Sequence, residues 1–66
     1  MTVLVNGRSQ SVLEGETIAA LLERLDLGGR YALVERNGLP VRREDFGAVA
    51  LAEGDKLVVA RPVAGG

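Results

Sequence analysis

The sequence contains no cysteine and no histidine. Within these 66 residues, that excludes disulfides and ordinary zinc, haem and iron–sulfur ligation. It also excludes nucleophilic catalysis of the serine–histidine or cysteine–histidine type. Tryptophan is absent too, and a single tyrosine and a single phenylalanine make no stacking platform for bases. Neither sign of charge is in excess: 8 Lys and Arg stand against 9 Asp and Glu, and only Arg42-Arg43 sets two cations side by side. A nucleic-acid partner would want a basic stripe, so none is expected. No apolar run approaches the roughly 20 residues of a membrane span. The opening MTVLVNG lacks the charged front and longer apolar stretch of a secretion signal. The expectation is a soluble cytoplasmic protein, monomeric when free, with no membrane partner and no metal site.

What remains is short, apolar-patterned and rich in glycine (9 of 66). A chain of this size buries only about 60% of the surface its unfolded form exposes, so one small core is all it can build. Residues 1–5 form an apolar, β-branched run followed by Asn6-Gly7, the strongest two-residue hairpin signal, and residues 8–13 read as the returning strand. Alternation puts Met1, Val3, Val5 and Val12 on one face and Leu4 on the other. Thr17 is a helix N-cap, with Glu14 and Glu16 at the favourable end of the dipole. Ile18, Leu21, Leu22 and Leu25 then follow the spacing of one apolar helical stripe. The helix is predicted over 17–26, with Gly28 as the left-handed cap.

Residues 31–37 read as a third strand with Ala32 and Val34 inward, and Asn37-Gly38 as a second turn. Arg36 stands before that turn where an apolar residue would suit the strand better. Leu39-Pro40-Val41 is a short edge segment, because Pro40 cannot donate to a ladder. Residues 42–47 form a loop or single helical turn that plugs Phe46 into the core, and Leu51 is buried as well. After a turn at Glu53-Gly54-Asp55, residues 56–61 make the last strand with Leu57 and Val59 inward. Pro62 ends the ladder. The first and last strands are expected to pair in parallel at the sheet centre, with the helix across one face. A single domain thus spans 1–61. Residues 62–66 form a flexible tail, ending Gly65-Gly66, that reaches roughly 17 Å when extended.

Hairpin, helix, strand, short segment and strand, ending in Gly-Gly, resemble the β-grasp fold of ubiquitin-like proteins: an α+β domain with a mixed four- to five-stranded sheet packed on one helix. The likeness narrows to the ThiS family, the sulfur carrier of thiamine thiazole biosynthesis. It is carried by Val5-Asn6-Gly7, Leu13-Glu14-Gly15-Glu16-Thr17 and Leu21-Leu22 in the first half of the chain. Asn37-Gly38 with Val41, Glu53-Gly54-Asp55 and Gly65-Gly66 extend it over the rest. The tail Arg61-Pro62-Val63-Ala64-Gly65-Gly66 also resembles that of the molybdopterin synthase small subunit, a second sulfur carrier of the same fold.

The resemblance implies that the chain is a protein cosubstrate and not an enzyme. A free C-terminal carboxylate, with a pKa near about 3.5, is an anion and a poor acylating agent at neutral pH. A partner adenylyltransferase using ATP and Mg2+ would make the acyl-adenylate at Gly66. A sulfur-donating enzyme would convert it to a thiocarboxylate, and a thiazole synthase would receive the sulfur. Gly65, Ala64, Val63, Pro62 and Arg61 would be recognised in the partners' channels, where glycine admits close-fitting walls. No bound cofactor is implied for the chain itself. Leu4, Leu33 and Val58 could form a docking patch on the open sheet face; isolated exposed leucines are equally common. Arg61 either guides the tail or is a solvated strand-end charge, Arg42-Arg43 reads as a solvated loop, and Asp45, Glu53 and Asp55 as turn and cap residues. Carriage of sulfur for molybdopterin, ubiquitin-like modification of a lysine, and a non-reactive interaction module remain as alternatives.

Overall fold

The computed structural model describes residues 1–61. The expected tail residues Pro62, Val63, Ala64, Gly65 and Gly66 lie outside the described residues. The elements are β1 (Thr2–Val5), β2 (Arg8–Ser11), α1 (Ile18–Arg24), β3 (Leu33–Arg36), β4 (Leu39–Val41), a 3-10 turn (Arg43–Asp45) and β5 (Lys56–Ala60). They form one five-stranded sheet in the order β2-β1-β5-β3-β4. β5 is central, parallel to β1 and antiparallel to β3. This is the expected β-grasp arrangement, with Pro40 on the edge strand β4.

The period-2 pattern decides the sheet's inner face. Val3 and Val5 of β1, Val34 of β3, and Leu57 and Val59 of β5 are all buried, and α1 adds Ile18, Leu21 and Leu22. Val12, Ala32, Phe46 and Leu51 complete the buried set. Met1, expected on this face, is 40% exposed: β1 starts only at Thr2, and the terminal amine turns to donate to the Val12 carbonyl. The second strand also stops early, at Ser11, which leaves Leu13 78% exposed.

The helix is shorter than its apolar stripe suggested, because capping claims residues at both ends. Thr17 Oγ1 accepts from the Ala20 N–H at 3.2 Å, while the Ile18 and Ala19 N–H groups donate to the carbonyls of Val49 and Phe46. The first-turn donors are thereby spent within the protein. At the other end Asp26, not Gly28, takes the left-handed conformation, at φ 55°. The Asp26 N–H bonds the Glu23 carbonyl and the Leu27 N–H bonds the Leu22 carbonyl at 2.8 Å, the paired bonds of a Schellman cap. Leu27 then packs on the core. Aspartate tolerates this conformation through its short polar side chain, so the helix closes two residues before the glycine that the sequence suggested.

Candidate functional site

The last described strand, β5, leads into residues 62–66, the segment to which the candidate chemistry was assigned. β1 accompanies β5 only over the Leu4↔Lys56 and Val5↔Leu57 positions, and then turns away. The Asn6 side chain continues the ladder in its place. Its Oδ1 accepts from the Val59 N–H at 2.8 Å and its Nδ2 donates to the Val59 carbonyl at 3.1 Å, as a backbone amide would. Asn37 does the same at the other end of β5. Its backbone N–H donates to the Lys56 carbonyl at 2.7 Å, and its Oδ1 accepts from the Lys56 N–H at 2.9 Å. Both asparagines sit at positive φ in Asn-Gly turns, at 51° and 52°. The two turn signals read from the sequence are therefore also side-chain clamps on the central strand.

Asp55 immediately precedes that strand and is 5% exposed. Its carboxylate accepts from the Ala52 N–H at 2.8 Å, from Arg36 Nε at 2.9 Å and from Asn37 Nδ2 at 3.0 Å. Burial alone would raise its pKa; the Ala52, Asn37 and Arg36 contacts outweigh burial and hold it below the ordinary value. Asp55 is a turn residue as expected, but Arg36 is no misfit in its strand: the buried carboxylate beside it needs a cation. Glu16 is likewise held below its ordinary pKa, first by the Arg24 hydrogen bond and then by the Leu13 N–H. This ties the helix's last turn to the segment before it. Arg42 makes an exposed pair with Glu44 at 2.7 Å.

Among the described residues the face of the sheet away from α1 is not covered by the helix, and strand register decides what it carries. Leu33 lies opposite Ala60, Glu35 opposite both Val58 and Pro40, and Leu4 opposite Ser9 and Lys56. Leu33 is 63% and Val58 53% exposed, whereas Leu4 is half-buried. Leu33, Pro40, Val58 and Ala60 line a hollow of about 290 Å³, with Glu35 at its edge. The three suggested docking residues thus fall on one face around β5. Arg61 is exposed where β5 ends, and the other suggested site residues, 62–66, lie outside the described residues. Among the described residues there is no cluster of acidic side chains that could hold a metal. No described helix is long and apolar enough to cross a membrane.

Residues 3–66 match the ThiS family. The chain belongs to that family. Among solved structures, this ThiS-family chain is similar to the crystal structure of the thiamine biosynthesis protein ThiS from Geobacter metallireducens. The identity is 32%, the TM-score is 0.82 and both chains are covered completely. An NMR solution structure of a thiamine biosynthesis protein from the same organism superposes with a TM-score of 0.76 at 32% identity, over all of this chain and 88% of that one. Two curated relatives are named thiazole synthase. The one from Paramagnetospirillum magneticum is 33% identical and the one from Magnetococcus marinus 35% identical, each over all 66 residues of this chain. This chain spans only about one fifth (20%) of the length of either.

The sequence showed the turn asparagines and the terminal glycines but not the Asp55 cluster. Its one signal was Arg36, read only as out of place in its strand; the folded register supplies the buried Asp55 carboxylate that accounts for it.

Proposed function

We propose that this chain is the sulfur carrier of thiazole formation in thiamine biosynthesis, with residues 1–61 as the body and 62–66 as the reactive segment. The observation that carries the reading is the ThiS match, which runs through Gly65 and Gly66. An oxygen of the Gly66 carboxylate attacks the α-phosphorus of ATP held with Mg2+ by a partner adenylyltransferase, and pyrophosphate leaves. A sulfide equivalent from a sulfur-donating enzyme then attacks the acyl carbon; AMP leaves with the bonding electrons, a proton is released, and a thiocarboxylate remains. That sulfur is the nucleophile passed to a thiazole synthase. The two thiazole synthase relatives that contain a segment like this one support that acceptor, because fusing two partners raises their effective concentration without new contacts. The chain contributes no acid, base, metal or cofactor to these steps. Arg61 and the residues after it enter the partners' channels, and the face bearing Leu4, Leu33 and Val58 docks against their surfaces.

The test is to incubate the chain with its adenylyltransferase, ATP, Mg2+ and a sulfide source, and to measure intact mass. The expected product has one oxygen exchanged for sulfur at Gly66, and Gly66→Ala abolishes most of the conversion while leaving the fold unchanged. An unaltered mass in the wild-type reaction, or full conversion of the alanine variant, would refute this role. Isopeptide adducts on lysines in extracts would instead mark a protein modifier.

A further inference from the structure

Near the end of β5 the sheet also carries charge that this chemistry does not use, on Arg30 and Arg43. Ala60 lies opposite Leu33, so Arg61 comes level with Ala32. The Arg43 guanidinium donates to the carbonyls of Arg30 and Ala32. Arg30 and Arg43 therefore meet at one three-residue stretch, Arg30-Tyr31-Ala32, with the Arg61 backbone level with its last residue. Among the described residues none of the three is ion-paired; the pairs formed use Arg24, Arg36 and Arg42. Glu23 and Asp26 share the adjoining cleft with Arg43 without closing on it.

The same region exposes apolar surface. Tyr31 is 62% and Leu33 63% exposed, and they help to line a hollow of about 340 Å³ together with Ala32, Val41, Arg30 and Arg43. Each of two guanidiniums lies near an aromatic ring, Arg30 at 6.0 Å from the Tyr31 centroid and Arg43 at 5.8 Å from that of Phe46. Tyrosine and arginine around a small apolar depression are the composition of an interface centre. A phosphate-rich ligand would instead call for cations spread along a face and a positive net charge, whereas this chain carries −1.

We infer that Arg30, Tyr31 and Arg43 form a second docking element, which receives an apolar knob ringed by Asp and Glu on the thiazole synthase. The inference rests on the acceptor named above and adds an electrostatic contact at the base of the reactive segment, at right angles in role to the apolar patch of Leu4 and Val58. Arginines here steer encounter and set orientation, while Tyr31 fills the knob's socket wall.

Calorimetric titration of the full chain into the purified thiazole synthase of the same organism, at low and at high salt, tests it. Wild-type binding should weaken as salt rises. Arg30→Glu should weaken it about tenfold and flatten the salt dependence, Arg30→Lys should restore most of it, and Tyr31→Ala should cost about thirtyfold. Arg8→Glu, on β2 three strands away from β3, should bind as wild type. Arg43 is left intact in these variants because it also supports backbone carbonyls, and circular dichroism checks that each variant keeps its fold. Tight binding that ignores salt, Arg30→Glu and Tyr31→Ala alike would overturn this surface and leave the acceptor standing. An equal loss with Arg8→Glu would reduce the effect to diffuse charge and also overturn it. A wild-type chain that is charged with sulfur yet does not bind the synthase would remove both the acceptor and this surface.

Discussion

Replacing Asp55 with alanine removes the residue on which the start of the central strand hangs. Three donors lose their acceptor: the Ala52 N–H, Arg36 Nε and Asn37 Nδ2. Hydrogen bonds to a charged partner are worth about 1.5–3 kcal/mol each when the donors are left stranded. Here two of the donors can recover water, since the Arg36 side chain is 32% exposed and Asn37 is exposed. The sum therefore falls well short of three full bonds, and we set it at about 2–3 kcal/mol. A domain of this size is stable by only about 3–10 kcal/mol, so the loss is a large fraction of the total. At about 4–8 °C per kcal/mol, Tm should drop by about 10–20 °C. Thermal melts and urea titrations with an unchanged m-value would measure it. Acid should mimic the substitution: the folded carboxyl sits below its ordinary value of 3.8, so its stabilisation is complete at neutral pH. It is lost as pH falls from there through the folded value. Asp55→Ala should lack that part of the acid sensitivity. A Tm change under about 3 °C, or an undiminished acid slope in the variant, would refute the reasoning.

Other consequences follow from the same geometry. Asn6→Ala strips the Val59 N–H and carbonyl of their partner and should cost about 1–2 kcal/mol, with faster hydrogen exchange at Val59 than at Val34 as the local signature. Asp26→Gly relieves the left-handed conformation at the helix cap and should raise stability by about 0.5–1 kcal/mol in chemical denaturation; a loss would mean that the aspartate side chain has a role the cap does not explain.

Much of the architecture was legible in the residues because it rests on local chemistry. Asn6-Gly7 and Asn37-Gly38 demand hairpins, Thr17 starts a helix, and alternation sorts Val3, Val5, Leu57 and Val59 inward. Boundaries were less legible. Whether Asp26 or Gly28 closes the helix depends on which carbonyls the last turn presents, and Leu13 falls outside β2 because the chain must turn towards α1. These choices are made by competition between elements and are not written in any one segment.

By itself the sequence determined the order of elements, the inward-facing set apart from Met1, and the glycine pair that suggests the candidate chemistry, because turn conformation, side-chain period and steric bareness are properties of a few adjacent residues. Tertiary structure alone decided that Arg36 answers Asp55, that two turn asparagines clamp β5, and that Arg43 reaches the Arg30 and Ala32 carbonyls beside Tyr31. Each of those pairings joins residues far apart in the chain. Such a pairing exists only once the registers have set which groups lie side by side: parallel β1 on β5 for the Asn6 clamp, antiparallel β3 on β5 for Asn37 and for Arg36 with Asp55.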